Sequence, residues 1–385
     1  MTLVMTVMVR DEADIIAAMV EYHLASGVDV LLITDNGSVD GTREILAEYE
    51  GDPRVFVVDD PVQDKNQAAK VTAMARRAAT DFGADWVINA DADEFFVPKD
   101  RSLTLGELFS QMPKSIVSAT IPVVDMTGAP GRDGTGLARL LHRDERDEFT
   151  LYGRSGLHAH ATHDAIHIGD PNVVVAQGNH YVSLASNGPV PTGLELESLH
   201  FPWRSFRQFE RKVRNAGVAY EANPRIRPSP RHHGMRDYRF LRAGALEESY
   251  VFRHPLATEL GNAELPRDEW LSHRLRDLAA EQTTRSPERL LVSLRSGPPD
   301  YDDADVERAR AVLVPLLAVE DERVAAEHRA RDLEKLSVEL ETSRGELAAC
   351  REALEDAVGQ LQRIRAGRMH RWAHQARRLV SSHAS

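Results

Sequence analysis

From its start to Phe96 the chain alternates short apolar runs with longer amphipathic ones. Residues 2–9 interleave Val and Met with Thr and read as a buried first strand. Ile15, Ile16, Met19, Val20 and Leu24, closed by Gly27, form a helical stripe. Val28–Ile33 predicts a second strand, followed by a helix through Ile45, Leu46 and Tyr49. Val55–Val58 predicts a third strand ending at Asp59-Asp60-Pro61, then a helix over Gln67–Thr80, then a fourth strand at Trp86–Ile88. Strands alternating with helices predict an α/β fold with a mostly parallel, doubly wound sheet. Such sheets hold ligands outside the carboxyl ends of their strands.

The second half is helical in pattern. From Ser205 to Val218, Phe206, Phe209, Val213 and Ala216 share one stripe, and Arg204, Arg207, Arg211 and Arg214 read as a solvated opposite face. Residues 222–236 are rich in Pro and Arg and read as a loop. Amphipathic segments at Tyr238–Arg253, Asp268–Glu281 and Asp305–Leu317 predict a helical extension. Beyond them Leu333, Leu340, Leu347, Leu354 and Leu361 recur every seven residues, with Leu336, Ser343, Cys350, Ala357 and Ile364 three positions on. This spacing predicts a coiled-coil helix and a homodimer. After Asp356 the acids stop and arginines accumulate, interleaved with Ile364, Met369, Trp372 and Leu379. That end reads as a basic amphipathic helix at an anionic membrane surface or as a disordered basic tail. The expected division is 1–236, an α/β domain; 237–317, a helical extension; 318–366, a coiled coil; and 367–385, the basic tail.

Composition narrows the classes. The 385 residues are 42% hydrophobic and carry a formal charge of −13, which argues against a general nucleic-acid binder. One cysteine, Cys350, excludes an intrachain disulfide and a cysteine-rich zinc site. The opening MTLVMTVMVRDE meets charge too early for a secretory signal, and no apolar run has a spanning helix's length. The expected location is cytoplasmic, or peripheral at the inner face of the cell membrane.

The chemistry gathers at strand exits. Asp11 and Glu12 follow the first strand, Asp35 and Asp40 follow the second, and Asp91, Asp93 and Glu94 follow the fourth. Carboxylates collected on one sheet edge repel unless cations or hydrogen-bond donors join them. A hard divalent cation and a nucleotide would supply both. Neither GxGxxG nor GxxxxGK[ST] occurs, so a glycine-rich phosphate cradle is not expected.

The strings VMVRDEADII, ITDNGSVDGT and ADWVINADADEFF, with AQGNHYV and LHFPWRSFRQFERKVRNAG later, resemble the GT-A fold glycosyltransferases of the family 2-like group. The resemblance runs in order over residues 3–220. It implies a metal-dependent glycosyltransferase that moves a sugar from a nucleotide-diphosphate donor to a hydroxyl acceptor, a glycan or lipid-linked glycan, with inversion. It implies Mn2+ or Mg2+ as cofactor. Glu12, Asp35, Asp40 and Asp91 are expected to bind the nucleotide sugar. Asp91 and Asp93 form the DxD metal corner, and His200 of LHFP matches a late metal-ligand histidine. Arg204 or Lys212 reaching the diphosphate is the alternative to a solvated arginine face.

The acceptor's base is not singled out. Candidates are His180, Asp164, Glu195 and Glu197, with His180 preferred because it closes the apolar run Val173–Asn179 at an expected strand exit. Asp93 and His180 are thus the expected catalytic residues. His158, His160, His163 and His167 lack the spacing of a zinc site and read as a hairpin beside an acceptor cleft. Two other classes stay open. A catalytically inactive GT-A-like protein could act through its coiled coil. A nucleotidyltransferase would need a glycine-rich, lysine-bearing loop that VMVRDEAD is not.

Overall fold

The computed structural model describes residues 1–61, 67–186, 188–221, 228–281, 284–295 and 300–381, and the chain divides into two units, Met1–Ala318 and Val319–Ser385. The first unit begins β1 (Leu3–Val9), α1 (Ile16–Ala25), β2 (Val30–Asp35), α2 (Thr42–Ala47), β3 (Val55–Asp59), α3 (Gln67–Phe82) and β4 (Trp86–Ala90). It continues β5 (Glu94–Pro98), α4 (Leu105–Gln111), β6 (Ser118–Ile121), β7 (Val123–Thr127), β8 (His142–Arg143), α5 (Glu148–Ser155), β9 (Asp164–Ile168) and β10 (Leu196–His200). Helices α6 (Phe206–Glu221), α7 (His233–Ala243), α8 (Leu246–Phe252), α9 (Trp270–Glu281) and α10 (Pro287–Ser293) follow, and α11 spans Asp303–Ser381.

The main sheet has the order β3-β2-β1-β4-β9-β6. Strands β1 to β4 are parallel, so their carboxyl ends share one edge, and β9 runs antiparallel to both β4 and β6. Helices cover both faces. Leu3, Met5 and Val7 join the α1 side of the core with Ile16, Met19 and Val20, while Val4, Leu32 and Val87 meet Val71, Met74 and Ala78 of α3 on the other side. A strand buried on both faces has no reason to alternate polarity, which is why β4 is buried at every position. The mixed α/β, mostly parallel sheet agrees with the expectation from the pattern.

A second sheet, β5-β10-β7-β8, is absent from the sequence reading. Its register matters for the site, because β10 pairs His200 with Glu94 on one side and with Asp125 on the other.

Several elements differ from their expected extents. The segment expected as one helix over Tyr238–Arg253 is two, α7 and α8. Gly244, at a φ of 73°, caps α7 in the left-handed region that glycine enters freely. The run Val173–Asn179 is not a strand. Gly178 and Asn179 both take positive φ, and the turn is tied by the bridge Val175↔Val182 and by the Asn179 amide donating to the Ala176 carbonyl. The expected hairpin at His158–His167 is instead an irregular stretch leading into β9. Part of the expected loop at 222–236 and the last tail residues lie outside the described residues; from His233 the chain is α7.

The helices after β10 fall into two groups. Leu271, Leu275, Leu278 and Leu290 of α9 and α10 share the core of α1. Phe240, Tyr250 and Phe252 of α7 and α8 pack with Phe209 and Val213 of α6 and with Val306 and Leu313 of α11. The second grouping anchors α6, which carries the site's cations. In the second unit α11 continues as a helix, with Leu333, Leu340, Leu347, Leu354 and Leu361 exposed. Among the described residues no helix is long and apolar enough to cross a membrane.

Candidate active site

The carboxyl edge of the main sheet opens into a cavity of about 670 Å³, lined by Asp11, Glu12, Asp91 and Asp93 from the strand exits and by Gln208, Arg211, Lys212 and Asn215 from α6. The acids arrive from the first half of the chain, and Arg211 and Lys212 from the second join Arg10 of the β1 exit as the lining cations.

Arg204, directly before α6, is fully buried. It donates to Glu12, to Asp14 Oδ2 at 2.7 Å and to Asp93 Oδ2 at 3.3 Å. The solvated-face reading therefore fails for Arg204, because three carboxylates from two strand exits converge where it enters. It also fails for Arg211, while Lys212, which is not part of that face, likewise meets an acid. Lys212 Nζ lies 3.1 Å from Asp93 Oδ2 on a half-exposed stem. Arg211 reaches the Asp11 carbonyl at 2.7 Å and Asp40 Oδ2 at 2.9 Å. Arg207 and Arg214 do remain exposed.

This crowding sets protonation. Burial pushes Glu12 up to about 7, against the pull of Arg204. Asp91 rises to about 6, through burial and then through Asp93. Burial also acts on Asp93, but Lys212, His200 and Arg204 outweigh it and hold that carboxyl below the usual range. Asp93 is the site's firmly ionised acid. Glu94 is held well above its ordinary value by burial and by Asp164 and Asp91, and its Oε2 accepts the Asp91 amide at 2.8 Å.

His200 comes to Asp93 through the second sheet. Its Nε2 stands 3.8 Å from Asp93 Oδ2, and its Nδ1 bonds Asp125 Oδ1 at 2.8 Å. Burial works against protonation of His200, yet Asp125 and Asp93 raise it above the ordinary histidine value. Asp125 itself is buried, but its bonds with His160 and His200 hold it low. The other DxD acid faces elsewhere. Asp91 Oδ1 accepts from Asn179 Nδ2 at 3.2 Å and from Gln67 Nε2 at 3.3 Å. So Asp93 and His200 face each other, Asp91 is turned aside, and among the described residues no three His, Cys, Asp or Glu side chains are placed to share an ion.

That pair nevertheless suits a divalent cation. Asp93 Oδ2 and His200 Nε2 are 3.8 Å apart, and the imidazole's other nitrogen is fixed by the Asp125 carboxylate, the usual support of a metal-bound histidine. Magnesium-type sites take one or two protein ligands and leave the rest to phosphate and water.

Asp35 and Asp40 organise the second exit without lining the cavity. Asp35 Oδ1 takes the Ser38 hydroxyl at 2.6 Å, and Asp40 Oδ1 takes the Thr42 hydroxyl at 2.5 Å. Between them Asp11, at a φ of 58°, accepts the Val39 amide and Asn215 Nδ2, both at 2.8 Å.

Of the base candidates, Glu197 is taken up by Arg143 and Arg101, and Glu195 accepts the Gly193 amide at the surface. His180 and Asp164 are together: His180 Nδ1 lies 3.3 Å from Asp164 Oδ1, and Asp164 Oδ2 is buried with no hydrogen-bond partner among the described residues. The turn Gly178-Asn179-His180 thus presents Asn179 to Asp91 and His180 to Asp164. Two of the remaining histidines of this stretch are held by main-chain or amide partners. His167 Nε2 meets Asn89 Nδ2 at 3.1 Å, and His160 Nε2 meets the Arg146 carbonyl at 2.6 Å.

Residues 6–164 match the family model described as Glycosyl transferase family 2. The matched stretch runs from within β1 to the first residue of β9. It contains Glu12, Asp35, Asp40, Asp91, Asp93 and Asp164, while His180, His200, Arg204 and Lys212 lie beyond it. No curated protein sequence matches significantly. Solved structures similar to this chain include S. aureus TarS 1-349, at 13% identity and a TM-score of 0.32, covering 86% of this chain and 89% of that one. The same protein in complex with UDP-GlcNAc gives 11% identity and a TM-score of 0.33, covering 86% and 90%.

Proposed function

We propose that the protein is a metal-dependent, inverting glycosyltransferase that moves a sugar from a nucleoside-diphosphate donor to a hydroxyl of a glycan or lipid-linked glycan. The observation that carries this reading is the cavity-lining Asp93, within 4 Å of His200, Lys212 and Arg204, in the stretch that matches the family 2 model.

A divalent ion, Mn2+ or Mg2+, held by Asp93 and His200 would act as a Lewis acid toward the leaving diphosphate, worth several kcal/mol in reactions of this type. The chain's own residues do the rest. Lys212 and Arg211, on the cavity wall, supply positive charge toward the donor's phosphates. Asp91, Glu12 and Asn215 offer acceptors and donors to the nucleoside and sugar. Asp164 takes the Nδ1 proton side of His180, which leaves Nε2 as the lone pair for the acceptor hydroxyl. As that proton moves to His180, the acceptor oxygen bonds the anomeric carbon while the bond to the diphosphate oxygen breaks, and one displacement inverts the centre.

Met369 and Trp372 are exposed among the arginines of the second unit, which supports peripheral contact with an anionic membrane and so a lipid-linked acceptor. The test of the site is a thermal-shift panel of nucleotide sugars with and without manganese. A ligand at about 100 times its dissociation constant stabilises by about 2.7 kcal/mol. Donor binding should strengthen with the metal and vanish in Asp93→Ala. No shift from any nucleotide sugar, or full turnover in excess chelator, would overturn the proposal.

A further inference from the structure

We propose that residues 333–364 bind a second copy of this chain as a parallel, in-register, two-stranded coiled coil. Leu333, Leu340, Leu347, Leu354 and Leu361 are each more than half exposed on α11, as are Leu336 and Ile364 three residues after the first and last of them. Spaced by seven, they form one stripe roughly 45 Å long at 1.5 Å per residue. A repeat of seven, against the helix's natural 3.6 per turn, keeps such a stripe facing a partner only when two helices wind around each other.

Charge says what the partner is. In a parallel pair, the residue six after each leucine faces, on the other helix, the residue four after the next leucine. Here those positions place Glu339 opposite the partner's Arg344, and Glu346 opposite the partner's Arg351, each pair occurring twice by symmetry. Ala353 meets the partner's Val358, which widens the apolar seam, and Gln360 meets the partner's Arg365. No like charges face each other. An antiparallel pair sets glutamate positions against glutamates and arginine positions against arginines. Among the described residues none of Glu339, Arg344, Glu346 and Arg351 makes an ion pair within its own helix, so all four are free for the second copy. The inner positions Ser343, Cys350 and Ala357 are small. They let two helices approach closely and could not fill the wider channel that a third strand opens.

The full chain should sediment at twice its 42.9 kDa mass at micromolar concentration. Cys350, the chain's one cysteine, would face its own copy across the seam. Oxidised glutathione should therefore convert two Cys350 thiols to an interchain disulfide, with two glutathione thiols as the reduced product. The double variant Glu339→Arg/Glu346→Arg should weaken the dimer at least tenfold, and adding Arg344→Glu/Arg351→Glu should restore it. Leu347→Glu/Leu354→Glu should sediment as a monomer and lose the cross-link. A monomeric wild type, a trimer mass, a dimer whose Cys350 does not cross-link, or indifference to the charge exchange would each overturn the proposal.

Discussion

Glu12 offers a direct measure of what the cavity costs the fold. Burial lifts its carboxyl from an ordinary 4.5 to about 7 even with Arg204 beside it. A folded-state pKa above the unfolded one means that the fold favours the protonated acid. The corresponding stability is complete below about pH 4.5 and is lost as pH rises through about 7. The displacement of about 2.5 units, at about 1.4 kcal/mol each, comes to about 3.5 kcal/mol in full, with about 3 kcal/mol expressed by pH 7. Glu12→Gln keeps the shape and removes the charge, so above pH 7 it should be about 3 kcal/mol more stable than wild type. Below about pH 5 the two should differ by less than about 1 kcal/mol. Asp91 also titrates high, but it is present in both chains and cancels in the comparison. Urea unfolding followed by tryptophan fluorescence reads the difference. At a slope of about 3 kcal/mol per molar the midpoints separate by about 1 M at pH 8 and converge near pH 5. The stabilised variant should also bind donor less well, since the charge is retained for the ligand and not for the fold. A Gln variant equal to or weaker than wild type at pH 8, or a gap independent of pH, would refute the reasoning.

Arg204→Met should be destabilising by about 3–5 kcal/mol at neutral pH, because Glu12, Asp14 and Asp93 lose the buried charge they share; denaturant unfolding checks it, and a loss under about 1 kcal/mol would show that solvent already screens them. Asp125→Asn should leave His200 in place but poorly held, and manganese affinity measured by calorimetry should fall about 10- to 100-fold with Asp93 intact. A chain truncated after residue 355 should stop sedimenting with anionic vesicles that retain the full chain, since it lacks the arginines with Met369 and Trp372. Undiminished binding of the truncated chain would remove the basic end from the membrane account.

The sheet's parallel half was legible because β1, β2 and β4 are buried almost throughout and read as largely apolar runs that lead into acids, while β3, the more exposed edge strand, keeps the apolar run Val55–Val58. The second sheet was not. β5 begins in Glu94, β10 ends in His200 and β7 carries Asp125 at its centre, polar residues that break an apolar pattern, and β8 is two residues long. Such segments become strands through pairing with distant partners, and no local pattern announces that. The run Val173–Asn179 misled in the opposite direction, since its β-branched residues suggest a strand while Gly178 and Asn179 turn the chain.

Arg204 shows why the acids were easier to read than the cations. Each acid sits at the end of a parallel strand, a position fixed by its own apolar run. Those strands share an edge, so the carboxylates are brought together before anything neutralises them. The stretch that matches the family model, residues 6–164, holds these acids but not Arg204 and Lys212, which face them in the structure. Asp93 meets His200, Arg204 and Lys212 only because β10 enters beside β5 and hands the chain directly to α6. In sequence those cations look like the polar side of an amphipathic helix, and for Arg207 and Arg214 that is what they are. What separates the two kinds is position alone. Arg204, Arg211 and Lys212 turn toward the acids of the strand exits while Arg207, between them in sequence, points to Asp133 at the surface, so residues beyond the matched stretch add positive charge where the carboxylates gather.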